Sequence, residues 1–108
     1  MKPIYLDYNA TTPILSEVAG EMKPFLNEFF GNPSSSHLYG RQTKTAVDLA
    51  RKRVASLIGC HPDEVVFTSG GSESNNYAIK GIAFANKKKG NHIITTKIEH
   101  PAVVVHLF

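Results

Sequence analysis

Two adjacent glycines, Gly70 and Gly71, stand where a run of β-branched and aromatic residues meets a helical pattern, and no other feature narrows the choice of folds as much. Upstream, residues 64–68 read as a buried strand entering a tight turn. Downstream, Ala78, Ile79, Ile82 and Ala83 recur at helical spacing within residues 73–88 and are expected to face inward, with Gly90 ending the helix before a second strand at 92–96. Strand, helix, strand is the βαβ pattern of a parallel sheet, so an α/β fold is expected. Glycines at such a junction let the backbone approach a ligand, and the helix start offers unpaired amides and a favourable dipole to an anion. Ser72 adds a hydroxyl donor. The turn has neither the lysine and spacing of a nucleotide P-loop nor a dinucleotide fingerprint, which favours a small phosphorylated cofactor over a nucleotide. A chain reversal capped by a serine is the other reading of the same residues.

Elsewhere, residues 4–7 suit a short extended piece, interrupted by Asn9, Thr11, Thr12 and Pro13. A helix is expected from about Ser16, with Val18, Met22, Phe25, Leu26, Phe29 and Phe30 at spacings of three and four, kinked or split at Pro24. Residues 31–36 read as a loop. The clearest helix starts at Leu38 or Arg41 and runs to Leu57, with Ala46, Val47, Ala50, Val54, Leu57 and Ile58 on one face and Gly59 as the stop. Pro101 is placed as the first residue of a further helix. His100 precedes it, just past the end of the second expected strand, at the sheet edge where ligands of open α/β folds sit. An imidazole there can stack on a flat ring or can serve as a helix cap or surface group. The stretch from Val103 to Phe108 is apolar, and the expectation is that further chain follows it.

Length and charge exclude several classes. A chain of 108 residues allows one compact domain. Its net charge of +3 is scattered, apart from Lys87, Lys88 and Lys89, which read as a solvated helix end, so no nucleic-acid partner is indicated. The one cysteine, Cys60, cannot form an internal disulfide, and no metal site is indicated. No signal peptide is evident and no apolar run approaches the ~20 residues of a membrane span, so a soluble, cytoplasmic protein without membrane association is the expectation.

Three segments, Tyr5-Leu-Asp-Tyr-Asn-Ala-Thr-Thr-Pro13, Gly31-Asn-Pro-Ser-Ser-Ser-His37 and Phe67-Thr-Ser-Gly-Gly-Ser-Glu-Ser-Asn75, together with Thr96-Lys-Ile-Glu-His100, resemble in order and spacing the amino-terminal motifs of cysteine desulfurases; selenocysteine lyases share them. The resemblance covers essentially the whole chain. It implies the amino-terminal part, residues 1–108, of the large domain of a fold type I pyridoxal 5'-phosphate-dependent transferase, a three-layer α/β/α architecture in the class V aminotransferase group, incomplete in this chain. It further implies a homodimer that converts L-cysteine to L-alanine and passes the sulfur as a persulfide toward an iron-sulfur scaffold or another acceptor. By the same resemblance Gly71 and Ser72 bind the cofactor phosphate, and His100 stacks on the cofactor ring and assists proton transfer. Asn32 and His37 are placed near the active-site mouth or dimer contact. The family's Schiff-base lysine, pyridine-pairing aspartate, substrate-binding arginine and persulfide cysteine have no counterpart here. Lys80, Lys87, Lys88, Lys89 and Lys97 read as solvated, and Cys60 as part of a variable turn. The chain alone is therefore expected to be inactive, and its expected strands to lack the intervening strands that would pair them. A noncatalytic interaction module and another class V aminotransferase are the alternatives.

Overall fold

A computed structural model describes residues 3–104 of the chain. The expected apolar end at residues 105–108 lies outside the described residues. The chain forms two compact units, Met1–Val65 and Val66–Phe108.

The first unit is helical. Helix α1 spans Ser16–Met22 and α2 spans Pro24–Asn27, divided at the proline as expected. Lys23 keeps helical dihedrals (φ −52°, ψ −43°), so Pro24, which has no N–H to give, enters as the first residue of a new turn. Phe29 and Phe30 fall beyond that turn. Helix α3, Leu38–Ile58, starts at the earlier of the two expected positions and stops at Gly59. Gly59 adopts the left-handed conformation (φ 72°, ψ 35°), and the amides of Gly59 and Cys60 both close on the Ala55 carbonyl. A 3₁₀ turn, Pro62–Glu64, follows.

The packed side of α3 differs from the apolar face expected for it. Gly40, Thr43 and Ala55 are buried, while Leu57 and Ile58 are 85% and 65% exposed. What packs on α3 decides this. The 31–37 loop comes so close to the start of α3 that a Cβ on Gly40 would overlap the Ser35 carbonyl and lie 2.7 Å from that of Asn32. Farther along, the Arg51 guanidinium donates to the Val65 carbonyl, and Val65 is buried.

The second unit consists of α4, Gly71–Ala85, and α5, Pro101–Val104, which pack on each other. Helix α4 begins two residues before the expected start. It ends at the Asn86 cap, leaving Lys87, Lys88 and Lys89 exposed on the turn beyond the helix. Ala102 is buried at 7% exposure, but α4 has no buried residue: Ile79 and Ala83 are half-buried, and Ala78 and Ile82 are exposed.

The two expected strands do not form a ladder. Residues 65–68 and 92–96 have no sheet pairing, and residue 64 belongs to the 3₁₀ turn. A strand is stabilised by the backbone bonds of its neighbours, and among the described residues neither segment is part of a ladder.

Candidate functional site

The residues around the glycine pair form a tied turn. Thr68 Oγ1 is 2.6 Å from Ser74 Oγ and donates to the Gly70 carbonyl at 3.3 Å. The Ser69 amide and hydroxyl both donate to Glu73 Oε2, at 2.6 and 2.7 Å. These bonds hold the Glu73 carboxyl below its ordinary value, the Ser69 amide contributing most and the Ser69 hydroxyl next. Asn76 Nδ2 donates to the Ser72 carbonyl at 2.8 Å, one turn along α4.

Gly70 is the N-cap of α4 and has no side chain with which to accept from the first turn. The serine-capped reversal is therefore not what forms: Ser69 precedes the cap and Ser72 lies inside the helix. The amides of Gly71 and Ser72 and the Ser72 hydroxyl lie together at a helix start where both residues are exposed. Substituent atoms at Gly70 and Gly71 would meet nothing within 4 Å, so space for a ligand exists on this side of the turn. Unpaired amides, a hydroxyl and the positive end of a helix dipole suit a phosphate.

His100 begins α5. Its Nδ1 accepts from the Ala102 amide at 3.1 Å, and the residue is exposed. The capping role weighed for this histidine is thus present, and the solvent-facing ring remains open to further contact. No hydrogen bond links His100 to Gly71 or Ser72. His37 caps α3 by the same device, its Nδ1 accepting from the Gly40 amide at 3.3 Å, and Asn32 Oδ1 accepts from the Ser34 amide at 2.8 Å. Both bonds are local, within residues 32–40.

The sequence reading passed over Glu73. Its signal was spacing: glutamate three residues after the cap is the position from which a side chain reaches back to bond the amides before a helix. Gly70 was noted as permissive backbone, but its larger consequence is the missing cap side chain.

Residues 4–107 match the aminotransferase class-V family. The chain belongs to that family. Among curated class-V relatives, the cysteine desulfurase IscS of Dictyoglomus turgidum is 60% identical over 103 residues, covering 95% of this chain and 26% of the relative. The cysteine desulfurase IscS of Methanosarcina thermophila is 54% identical over 103 residues, with the same coverage. A solved structure of a NifS-like protein superposes with a TM-score of 0.87 at 40% identity, covering 96% of this chain and 29% of that one. The chain spans about a quarter of the length of the curated relatives it matches. Its fold is accordingly that of the amino-terminal part of a fold type I transferase large domain, present among the described residues as helices and turns without the ladder of the sheet.

Proposed function

We propose that this class-V chain supplies the phosphate turn and the ring-stacking histidine of a pyridoxal 5'-phosphate-dependent cysteine desulfurase. Residues 1–108 would form the amino-terminal piece of its transferase domain. The observation that carries the reading is the open cap at Gly70, which leaves the amides of Gly71 and Ser72 and the Ser72 hydroxyl for an anion. Relatives named cysteine desulfurase at 54–60% identity support the choice of reaction.

The residues present fit the cofactor's phosphate. Gly71 and Ser72 would donate to it without displacing an existing cap, and Glu73 is held toward Ser69 by two hydrogen bonds. His100 offers an imidazole for stacking and for moving a proton. The chemistry supplied by bound pyridoxal phosphate is an electron sink that stabilises carbanion character at the α-carbon of the amino-acid substrate. In this reading L-cysteine is the substrate, L-alanine the product, and the sulfur leaves as a persulfide for an iron-sulfur scaffold or another acceptor. A homodimer in the cytoplasm is the setting. No helix among the described residues is long and apolar enough to cross a membrane.

The test is calorimetric titration of the chain with pyridoxal phosphate and, separately, with pyridoxal. Binding that requires the phosphate and weakens about tenfold in Ser72→Ala, the order of one charge-assisted hydrogen bond, is the expected outcome. Equal binding of the two compounds, or no binding of either, would overturn the assignment of the turn.

A further inference from the structure

The chain contains two His-Pro turns built alike. The Asp63 amide donates to His61 Nδ1 across Pro62 at 3.4 Å, and the Ala102 amide donates to His100 Nδ1 across Pro101 at 3.1 Å. The cause is local. Proline has no N–H, so the first amide in need of a partner belongs to the residue after it, within reach of the histidine ring. At Ala102 the need is strong, because the residue is 7% exposed and a buried amide without an acceptor is costly.

The turns differ at their third residue. Asp63 Oδ2 lies 3.4 Å from the same His61 Nδ1, so a proton on that nitrogen would meet a carboxylate. The methyl group of Ala102 offers none, and a proton on His100 Nδ1 would confront the Ala102 N–H. Which imidazole nitrogen carries the proton is set by the hydrogen bond the other one makes. We infer that the Ala102 amide is a positioning group for His100, fixing the neutral ring in its Nε2–H form and leaving Nε2 as the nitrogen that exchanges protons. The use of that nitrogen in catalysis rests on the desulfurase reading; the tautomer itself does not.

The test is ¹⁵N NMR of the labelled chain without cofactor. The expected result is a ¹⁵N–¹⁵N coupling across the hydrogen bond between the Ala102 amide and His100 Nδ1, with Nδ1 bare and Nε2 protonated. Two substitutions separate the ring's ends. His100→Asn places an oxygen where Nδ1 stands and is expected to keep Ala102 protected from hydrogen exchange; His100→Gln places its amide near Nε2 and is expected to speed that exchange about tenfold, the scale of one net hydrogen bond. A protonated Nδ1, a missing coupling, or equal exchange in the two variants would overturn the inference. Adding pyridoxal phosphate then tests the other reading separately. Bare Nδ1 with no response of the ring to the cofactor removes the stacking role alone, and protonated Nδ1 with a response removes the positioning role alone.

Discussion

The Glu73 carboxylate accepts two hydrogen bonds from one residue four positions upstream, the amide and the hydroxyl of Ser69, both on Oε2. This bond pair ties the approach to α4 and draws the carboxyl away from its ordinary value. Because the folded value is depressed, the stabilisation is present above the unfolded value, about 4.3 for a glutamate, and is lost as pH falls through the folded one. The Ser69 amide resonance is expected to move through that acidic window, and Glu73→Gln to abolish the movement. A Ser69 shift that tracks pH equally in both proteins would show that the bond is not made.

Gly70 is the position at which helix stability and the proposed anion binding can be separated. Its backbone (φ 162°, ψ −179°) is extended, and an added Cβ meets nothing within 4 Å, so the position tolerates a side chain. Gly70→Asp is expected to cap α4 and raise its stability by a few tenths of a kcal/mol. The same carboxylate would occupy the amides and repel phosphate, so affinity for pyridoxal phosphate is expected to fall at least roughly tenfold. Circular dichroism melting and calorimetry read the two effects, which carry opposite signs.

Gly40 is a packing glycine. Gly40→Ala would force the 31–37 loop off the start of α3, at a cost of about 1–3 kcal/mol expected for overpacking. Urea unfolding followed by circular dichroism gives the value. Gly20→Ala, where a Cβ meets nothing within 4 Å, is the control and is expected to be neutral or stabilising.

Gly59 is conformational instead. Nothing crowds its Cβ position, but its φ is +72°. Gly59→Ala is expected to cost about 1 kcal/mol from the left-handed dihedral alone. Gly59→Asn should recover part of that loss, because asparagine tolerates this region. An alanine variant as stable as the parent would mean that α3 ends differently.

Local chemistry was legible in the sequence wherever a residue enforces it by itself. Pro24 divided the first helical stretch, Gly59 stopped α3, and Pro101 opened α5. The start of α4 was misplaced because helix propensity argues against Gly71 and Ser72 as helical residues, whereas the bond of the Ser74 amide to the Gly70 carbonyl already encloses them. At Glu64 the error ran the other way. β-propensity at 65–68 was extended back over a turn whose own pattern, with His61 accepting from the Asp63 amide and Glu64 bonding the His61 amide, is a capping box. The segments expected as strands at 64–68 and 92–96 form no ladder, as expected for a chain without the strands that lie between them, since pairing is a property of two segments and propensity belongs to one. For the site, Gly71, Ser72 and His100 were proposed from position and resemblance. The tether between Ser69 and Glu73 was not, because it depends on a side chain reaching back across four residues.

The tied turn at Ser69 and Glu73 also has a meaning in time. Every bond that shapes it joins residues no more than six apart, as do the bonds that cap α3. Helical segments of this size relax in roughly a microsecond. Ribosomes add about 5–20 residues per second. During synthesis, then, the amides of Gly71 and Ser72, proposed to bind the phosphate, can be arranged almost as soon as residues 67–85 have room to fold. The turn proposed to hold the phosphate is tied by side-chain bonds among residues 68–76, so its assembly does not wait for the rest of the chain.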